Sequence, residues 1–386
     1  MPNMKKYIAI LFVLSVFAVF SSCGKDDTSE SAPDDGPNEQ TIIVFFPWSG
    51  TTTSNGLYQF VTQNVKEIRQ AIIDNKGFSR SRFVCYMSDT PTTAVMYEMS
   101  YSKGKCQCDT LRRYSNQDFS KASTLEGIFT TAMELAPAER YGMIVGGHGS
   151  GWLPAPTTTR KKTRFIGGYS GVYATDTQVF AQALRDTGRK FQFILFDNCY
   201  MANIEVAYEL SGTTDMMIAS TSEIIERGIP YQTIFKYLVG TPDYGSLVKG
   251  FHDFYQTYTY PYGALSAIDC TCAGGMADLM KRINSQHFWD KNQNDLVQHL
   301  DGYEPPIFFD MSDYVHHLCQ DDALVAEFDH LMARLVPYAQ CTTNLYSELT
   351  RSPFHVSSYC GITISDPSLN ADAAGKTETS WYKDTH

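Results

Sequence analysis

Two apolar runs constrain this chain more than any other feature. One reads Tyr141-Gly142-Met143-Ile144-Val145-Gly146-Gly147-His148-Gly149, the other Phe191-Gln192-Phe193-Ile194-Leu195-Phe196-Asp197-Asn198-Cys199. Each has the length of a strand buried on both faces and stops at a residue with useful proton or nucleophile chemistry. In an open parallel sheet, the carboxyl ends of neighbouring strands lie along one edge, and ligands bind there. An imidazole and a thiol delivered to that edge would face one cleft, as a cysteine hydrolase requires.

The surrounding pattern alternates. Thr41 to Phe46 reads as a first buried strand, and Leu57 to Asn75 carries apolar residues at helical spacing. Arg82 to Met87 and Ala94 to Tyr101 read as strands; Leu125 to Leu135 and Thr177 to Thr187 read as helices leading into the two opening runs. Met201 to Leu210 is helical, Met216 to Ser220 a further strand, and Gly263 to Ile268 and Cys360 to Ser365 are strand-like among later helices. The expectation is an α/β fold with a mostly parallel central sheet, a main domain over 41–290 and a smaller C-terminal subdomain over 291–386.

The N-terminus reads as a targeting segment. Lys5 and Lys6 precede the apolar run Tyr7 to Phe20, then Ser21-Ser22-Cys23. This is the layout of a secretory signal peptide over 1–22, too short for a membrane span. Cys23 after small residues resembles a bacterial lipobox and is the expected lipidation site. Gly24-Lys25-Asp26-Asp27 resembles the surface-export signal of Bacteroidetes lipoproteins, which implies an outer-membrane protein on the cell surface. Residues 23–40 hold no large apolar side chain and read as a disordered tether. Loss of residues 1–22 removes two lysines and no acids, taking the net charge from −11 to −13, which disfavours nucleic acid as a partner.

Setting aside Cys23 and Cys199 leaves eight of ten cysteines, an even number whose pairing spacing alone does not assign. Cys106-Gln107-Cys108 and Cys270-Thr271-Cys272 are too closely spaced for the usual zinc knuckle, and His316-His317 reads as a solvated helix end. No metal site is expected and no cofactor is required; calcium dependence is not decided by these residues.

At the two opening sites the chain resembles the clostripain family of cysteine peptidases, in the clan of caspases, gingipains and separases. The resemblance rests on His148-Gly149 followed by Ser150-Gly151-Trp152, and on Asp197-Asn198-Cys199-Tyr200-Met201. Ile218-Ala219-Ser220 and Gly228-Ile229-Pro230-Tyr231 extend it, so that it spans roughly residues 41 to 270. It implies a caspase-like α/β/α sandwich and cleavage of protein or peptide substrates after arginine or lysine. The chain departs from the family at Phe46-Pro47-Trp48-Ser49-Gly50 and at Thr221-Ser222, where relatives often carry acids.

Each site residue then has an expected role. Cys199 is the nucleophile and His148 its proton partner. Gly149, lacking a Cβ, lets a main-chain N–H approach substrate and form an oxyanion hole with the N–H of Cys199. Asp197, two residues before the thiol on a regular strand, shares its face and would pair with the basic side chain. Glu226 is the candidate second anion, with Glu223 as the other. Arg160, Lys161, Lys162 and Arg164 follow a Pro- and Thr-rich stretch and form an exposed basic loop, the expected self-processing site. Competing readings are a non-catalytic binding lipoprotein on a peptidase scaffold and an amidase or transpeptidase of the same fold.

Overall fold

The central strands are apolar on both faces because helices cover both. A computed structural model describes residues 38–50, 56–153, 166–168 and 171–386. The expected signal peptide, Cys23, most of the tether and the basic loop 160–164 lie outside the described residues. In chain order the strands are β1 (Gln40–Phe46), β2 (Ser81–Ser88), β3 (Thr93–Ser102), β4 (Lys105–Ser115) and β5 (Arg140–Gly146). There follow β6 (Ile166–Gly167), β7 (Ala174–Thr175), β8 (Phe191–Asp197), β9 (Thr214–Ala219) and β10 (Ala264–Asp269). The last are β11 (Phe309–Asp310), β12 (Tyr338–Cys341), β13 (Asn344–Ser347), β14 (Ser352–His355) and β15 (Thr363–Ile364).

Nine of them form one sheet in the order β12-β10-β9-β8-β5-β1-β2-β3-β4. The middle is parallel, from β2 through β1, β5 and β8 to β9, and both edges are antiparallel. Side chains alternate across it. Ile43, Phe45, Met143, Val145, Ile194 and Phe196 pack in one core with Phe129 of α2 (Ala122–Leu135), Phe180 of α3 (Thr177–Asp186) and Val206 of α4 (Ile204–Leu210). Ile42, Val44, Phe46, Ile144, Phe193 and Leu195 pack in the other, with Ile68 of α1 (Tyr58–Asp74) and Phe251 of the helix Tyr244–Thr257. The expected α/β/α sandwich is the observed one.

Three features differ from the sequence reading. β4 was not expected: Lys103 and Gly104, both with positive φ, turn the chain back on β3 to make a mostly exposed edge strand. Its polarity hides it from a search for apolar runs. The run from Cys360 does not enter the main sheet; only Thr363–Ile364 is a strand, paired with β11. Finally, β12, from the stretch after 291, closes the main sheet against β10. None of the nine described cysteines is joined to another of them by a disulfide.

Close packing of β5 on β8 gives a test. Gly142 lies opposite Phe193, and a Cβ there would sit 2.4 Å from the phenyl ring. Gly142→Ala is therefore expected to overpack the sheet and cost about 1–3 kcal/mol in urea unfolding.

Candidate active site

The two opening runs end side by side. In the β5/β8 register Gly146 opposes Asp197, so both chains leave the sheet together at its carboxyl edge. His148 is then fixed through its main chain. Its N–H donates to Gly167 O (3.0 Å), and its carbonyl accepts from Gly167 N (3.1 Å) and from the side-chain amide of Asn198 (2.9 Å). Asn198, which the sequence reading passed over, thus ties the histidine turn to the residue before the thiol.

A cavity of about 340 Å³ opens at this edge and is lined by His148, Cys199 and Asp197 together. The thiol of Cys199 lies against Ile224, whose N–H reaches Sγ at 3.4 Å and whose carbonyl lies 3.6 Å from it. Tyr200 follows with φ of +61°, a conformation a bulky side chain adopts only when its surroundings hold it. They do so here: its hydroxyl donates to Glu223 (2.7 Å), and its ring stacks on Phe308 with centroids 5.2 Å apart. Gly149 packs directly on the Cys199 peptide, where an added Cβ would meet Cys199 O at 2.5 Å and Cys199 N at 2.9 Å.

Asp197 is buried at the end of β8. Its carboxylate accepts from Asn64 Nδ2 of α1 (2.8 Å), from the N–H of Ile229 (3.2 Å) and from the hydroxyl of Tyr231 (3.1 Å). Burial pushes its pKa up to about 6, opposed by those donors and by the nearby Arg227. Arg227 itself pairs with Glu67 at 2.7 Å. Gly228, with φ of +67°, brings the loop onto this carboxylate; a Cβ would stand 3.0 Å from both its oxygens.

The two glutamates offered as the second anion have separated. Glu226 is exposed and lines the cavity. Glu223 is buried and engaged, accepting from Tyr200, from Ser347 Oγ (3.1 Å) and from Glu348 N (2.9 Å). It thereby holds the β13–β14 hairpin against the cleft, and Tyr346 and Glu348 line the cavity as well. No motif marked these two; they lie far along the chain from the thiol. Among the described residues no group of three or more His, Cys, Asp or Glu is disposed to hold a metal ion. His316 pairs with Asp329 (2.8 Å), and His317 reaches the carbonyl of Asp313 one turn earlier.

The family model described as the clostripain family matches residues 51–350. The chain belongs to the clostripain family. It is a cysteine peptidase by that membership, and its fold matches those of solved relatives. A secreted C11 cysteine protease from Bacteroides thetaiotaomicron is 37% identical, with a TM-score of 0.85 over 91% of this chain and 100% of the other. A clostripain from Bacteroides thetaiotaomicron ATCC 29148, solved with the peptide inhibitor BTN-VLTK-AOMK, is 43% identical over 57% of this chain and 99% of that one, with a TM-score of 0.57. An inactive zymogen C11 protease from Parabacteroides distasonis, 24% identical with a TM-score of 0.77 over 90% of this chain and 98% of that one, shares the fold. No match was found among curated proteins.

In this clostripain-family chain the contact at Gly149 has a measurable consequence. Gly149→Ala places a methyl group against main-chain atoms that cannot rotate away, so the Cys199 peptide must shift. A displacement of that kind is expected to lower kcat by about a hundredfold while the unfolding midpoint moves little. Steady-state kinetics beside a thermal melt would check it.

Proposed function

We propose that the protein is an endopeptidase that cuts after arginine or lysine by a Cys199–His148 mechanism. The reading is carried by one observation: a buried carboxylate, Asp197, lines the same cavity as the thiol and the imidazole, and its three hydrogen-bond donors are all neutral. The nearby cation, Arg227, is already paired with Glu67, so a guanidinium or ammonium entering beside Asp197 would give it a direct charged partner in a water-poor site, where such a pair is strong. The inhibitor bound to the Bacteroides clostripain carries the peptide letters VLTK, ending in lysine, which supports the same preference here.

With the basic side chain seated, the scissile carbonyl lies over Cys199. The thiolate attacks the carbonyl carbon and forms a C–S bond. The N–H groups of Gly149 and Cys199 take up the oxyanion charge. His148 gives a proton to the departing amine as the C–N bond breaks, then takes one from the water that hydrolyses the acyl-enzyme. Glu226, on the exposed rim, adds a second negative charge for the incoming cation.

The same preference makes the basic residues Arg160, Lys161, Lys162 and Arg164 substrates for the enzyme's own site, and we read this loop as the place of self-processing. The signal peptide over 1–22 and Cys23 support export as a lipid-anchored protein of the outer membrane, displayed at the cell surface. Among the described residues no helix is long and apolar enough to cross a membrane.

Two experiments test this reading. Cys199→Ala should lower hydrolysis of arginyl and lysyl reporters by roughly four orders of magnitude and leave the chain uncut at 160–164 on N-terminal sequencing. Residual turnover near the wild-type rate would sink the mechanism. The second uses pH. Because Asp197 is protonated below about 6 in the free enzyme, kcat/KM for an arginyl substrate should fall relative to its neutral citrulline analogue as pH drops through that value. Taking the ratio cancels titration of the thiol and imidazole. In Asp197→Asn the ratio should be low and flat.

A further inference from the structure

The C-terminal hairpin presents two residues to the cleft that the Asp197 reading does not use. Glu223, itself buried, accepts from Ser347 Oγ and from the N–H of Glu348, so the hairpin turn is held by main-chain and hydroxyl contacts. The side chains of Tyr346 and Glu348 are left to line the cavity. Tyr346 is backed by Tyr262, the two rings stacked with centroids 5.6 Å apart and planes at 28°. Glu348 is exposed, and its carboxylate has no hydrogen bond or ion pair among the described residues. Arg351, on the same hairpin, makes no ion pair with it among those residues.

An aromatic face beside a free carboxylate is the chemistry that holds an alkylammonium or guanidinium, through cation–π attraction on one side and a charge-assisted hydrogen bond on the other. The site is separate from Asp197, whose surroundings are α1, Gly228, Ile229 and Tyr231. We propose that Tyr346 and Glu348 form a second cation-binding subsite of the cleft, which takes a basic side chain of the substrate other than the one preceding the scissile bond. The inference rests on the reading of the cavity as a peptide cleft. It implies a preference for substrates with paired or closely spaced basic residues. Rigid backing by Tyr262 and fixation of the turn by Glu223 give the subsite its preorganisation, so that little order is lost on binding.

The test is a peptide panel with one arginine fixed before the scissile bond and a second arginine, or its neutral near-isostere citrulline, scanned over three positions on each side. In the wild-type enzyme the arginine-to-citrulline ratio in kcat/KM is expected to reach about three to ten at one position and to shrink at high salt. In Glu348→Gln that ratio should collapse towards one, and Tyr346→Leu should lower it. Each ratio is taken within a single variant, so a lower fraction of active enzyme cancels. A ratio near one at every scanned position overturns the subsite, and so does a ratio unchanged in Glu348→Gln. Exchange of the fixed arginine itself for citrulline reports separately on Asp197: equal turnover there would sink the primary preference without touching the result for Glu348.

Discussion

The site depends on a carboxylate kept out of water. Burying Asp197 disfavours its charge, as its pKa near 6 reflects, and a buried carboxylate is tolerable only where donors surround it. The donors come from two places in the chain: Asn64 on α1, and the N–H of Ile229 with the hydroxyl of Tyr231 just after it. One group at the end of β8 therefore holds a helix from the start of the fold and a loop that follows β9. All three direct donors are neutral, and the nearby Arg227 is paired with Glu67. The pocket is shaped in advance around a carboxylate whose direct donors carry no charge.

A second buried carboxylate does different work. Glu223 spends its oxygens on Tyr200, Ser347 and Glu348, linking the residue after Cys199 to a hairpin late in the chain. This contact bears on Cys199 directly. Tyr200 sits at positive φ, and an unsupported bulky residue there would relax and turn the preceding thiol. The hydroxyl contact to Glu223 and the stack on Phe308 keep it in place. The backbone that aims Cys199 is thus held by residues of the C-terminal stretch as well as by β8.

The sequence made the centre of this arrangement legible and its walls obscure, for physical reasons. Buried parallel strands must be apolar on both faces, so β1, β5 and β8 stand out as continuous runs, and the residues that end them mark the cleft. β4 carries no such signal because one of its faces meets water and its polar residues are consistent with either strand or loop. Asp197 was assigned from strand alternation, and it does line the cavity with Cys199. That argument could not supply its donors, since Asn64 and Tyr231 are brought to it only by tertiary packing. The sequence names Glu226 as the candidate second anion and Glu223 as the other, with no physical ground to decide between them. Burial and partners separate them, and neither property can be read from two glutamates three residues apart in a loop.

The same reasoning explains why the cleft draws on residues beyond 290. A cleft at the carboxyl edge of a parallel sheet needs walls, and short strand-to-helix turns supply only its floor. Here one wall is α1, and the other comes from the hairpin at 344–355, attached through Glu223. β12, immediately before that hairpin, closes the main sheet on β10 and fixes where the hairpin emerges. Removing the C-terminal stretch would expose the edge of β10, leave Glu223 buried without two of its donors and release Tyr200 from Phe308. An unpaired buried carboxylate and a freed sheet edge are each destabilising. Assembly of the cleft is therefore coupled to closure of the sheet, although His148, Asp197 and Cys199 lie in the first two hundred residues of the chain.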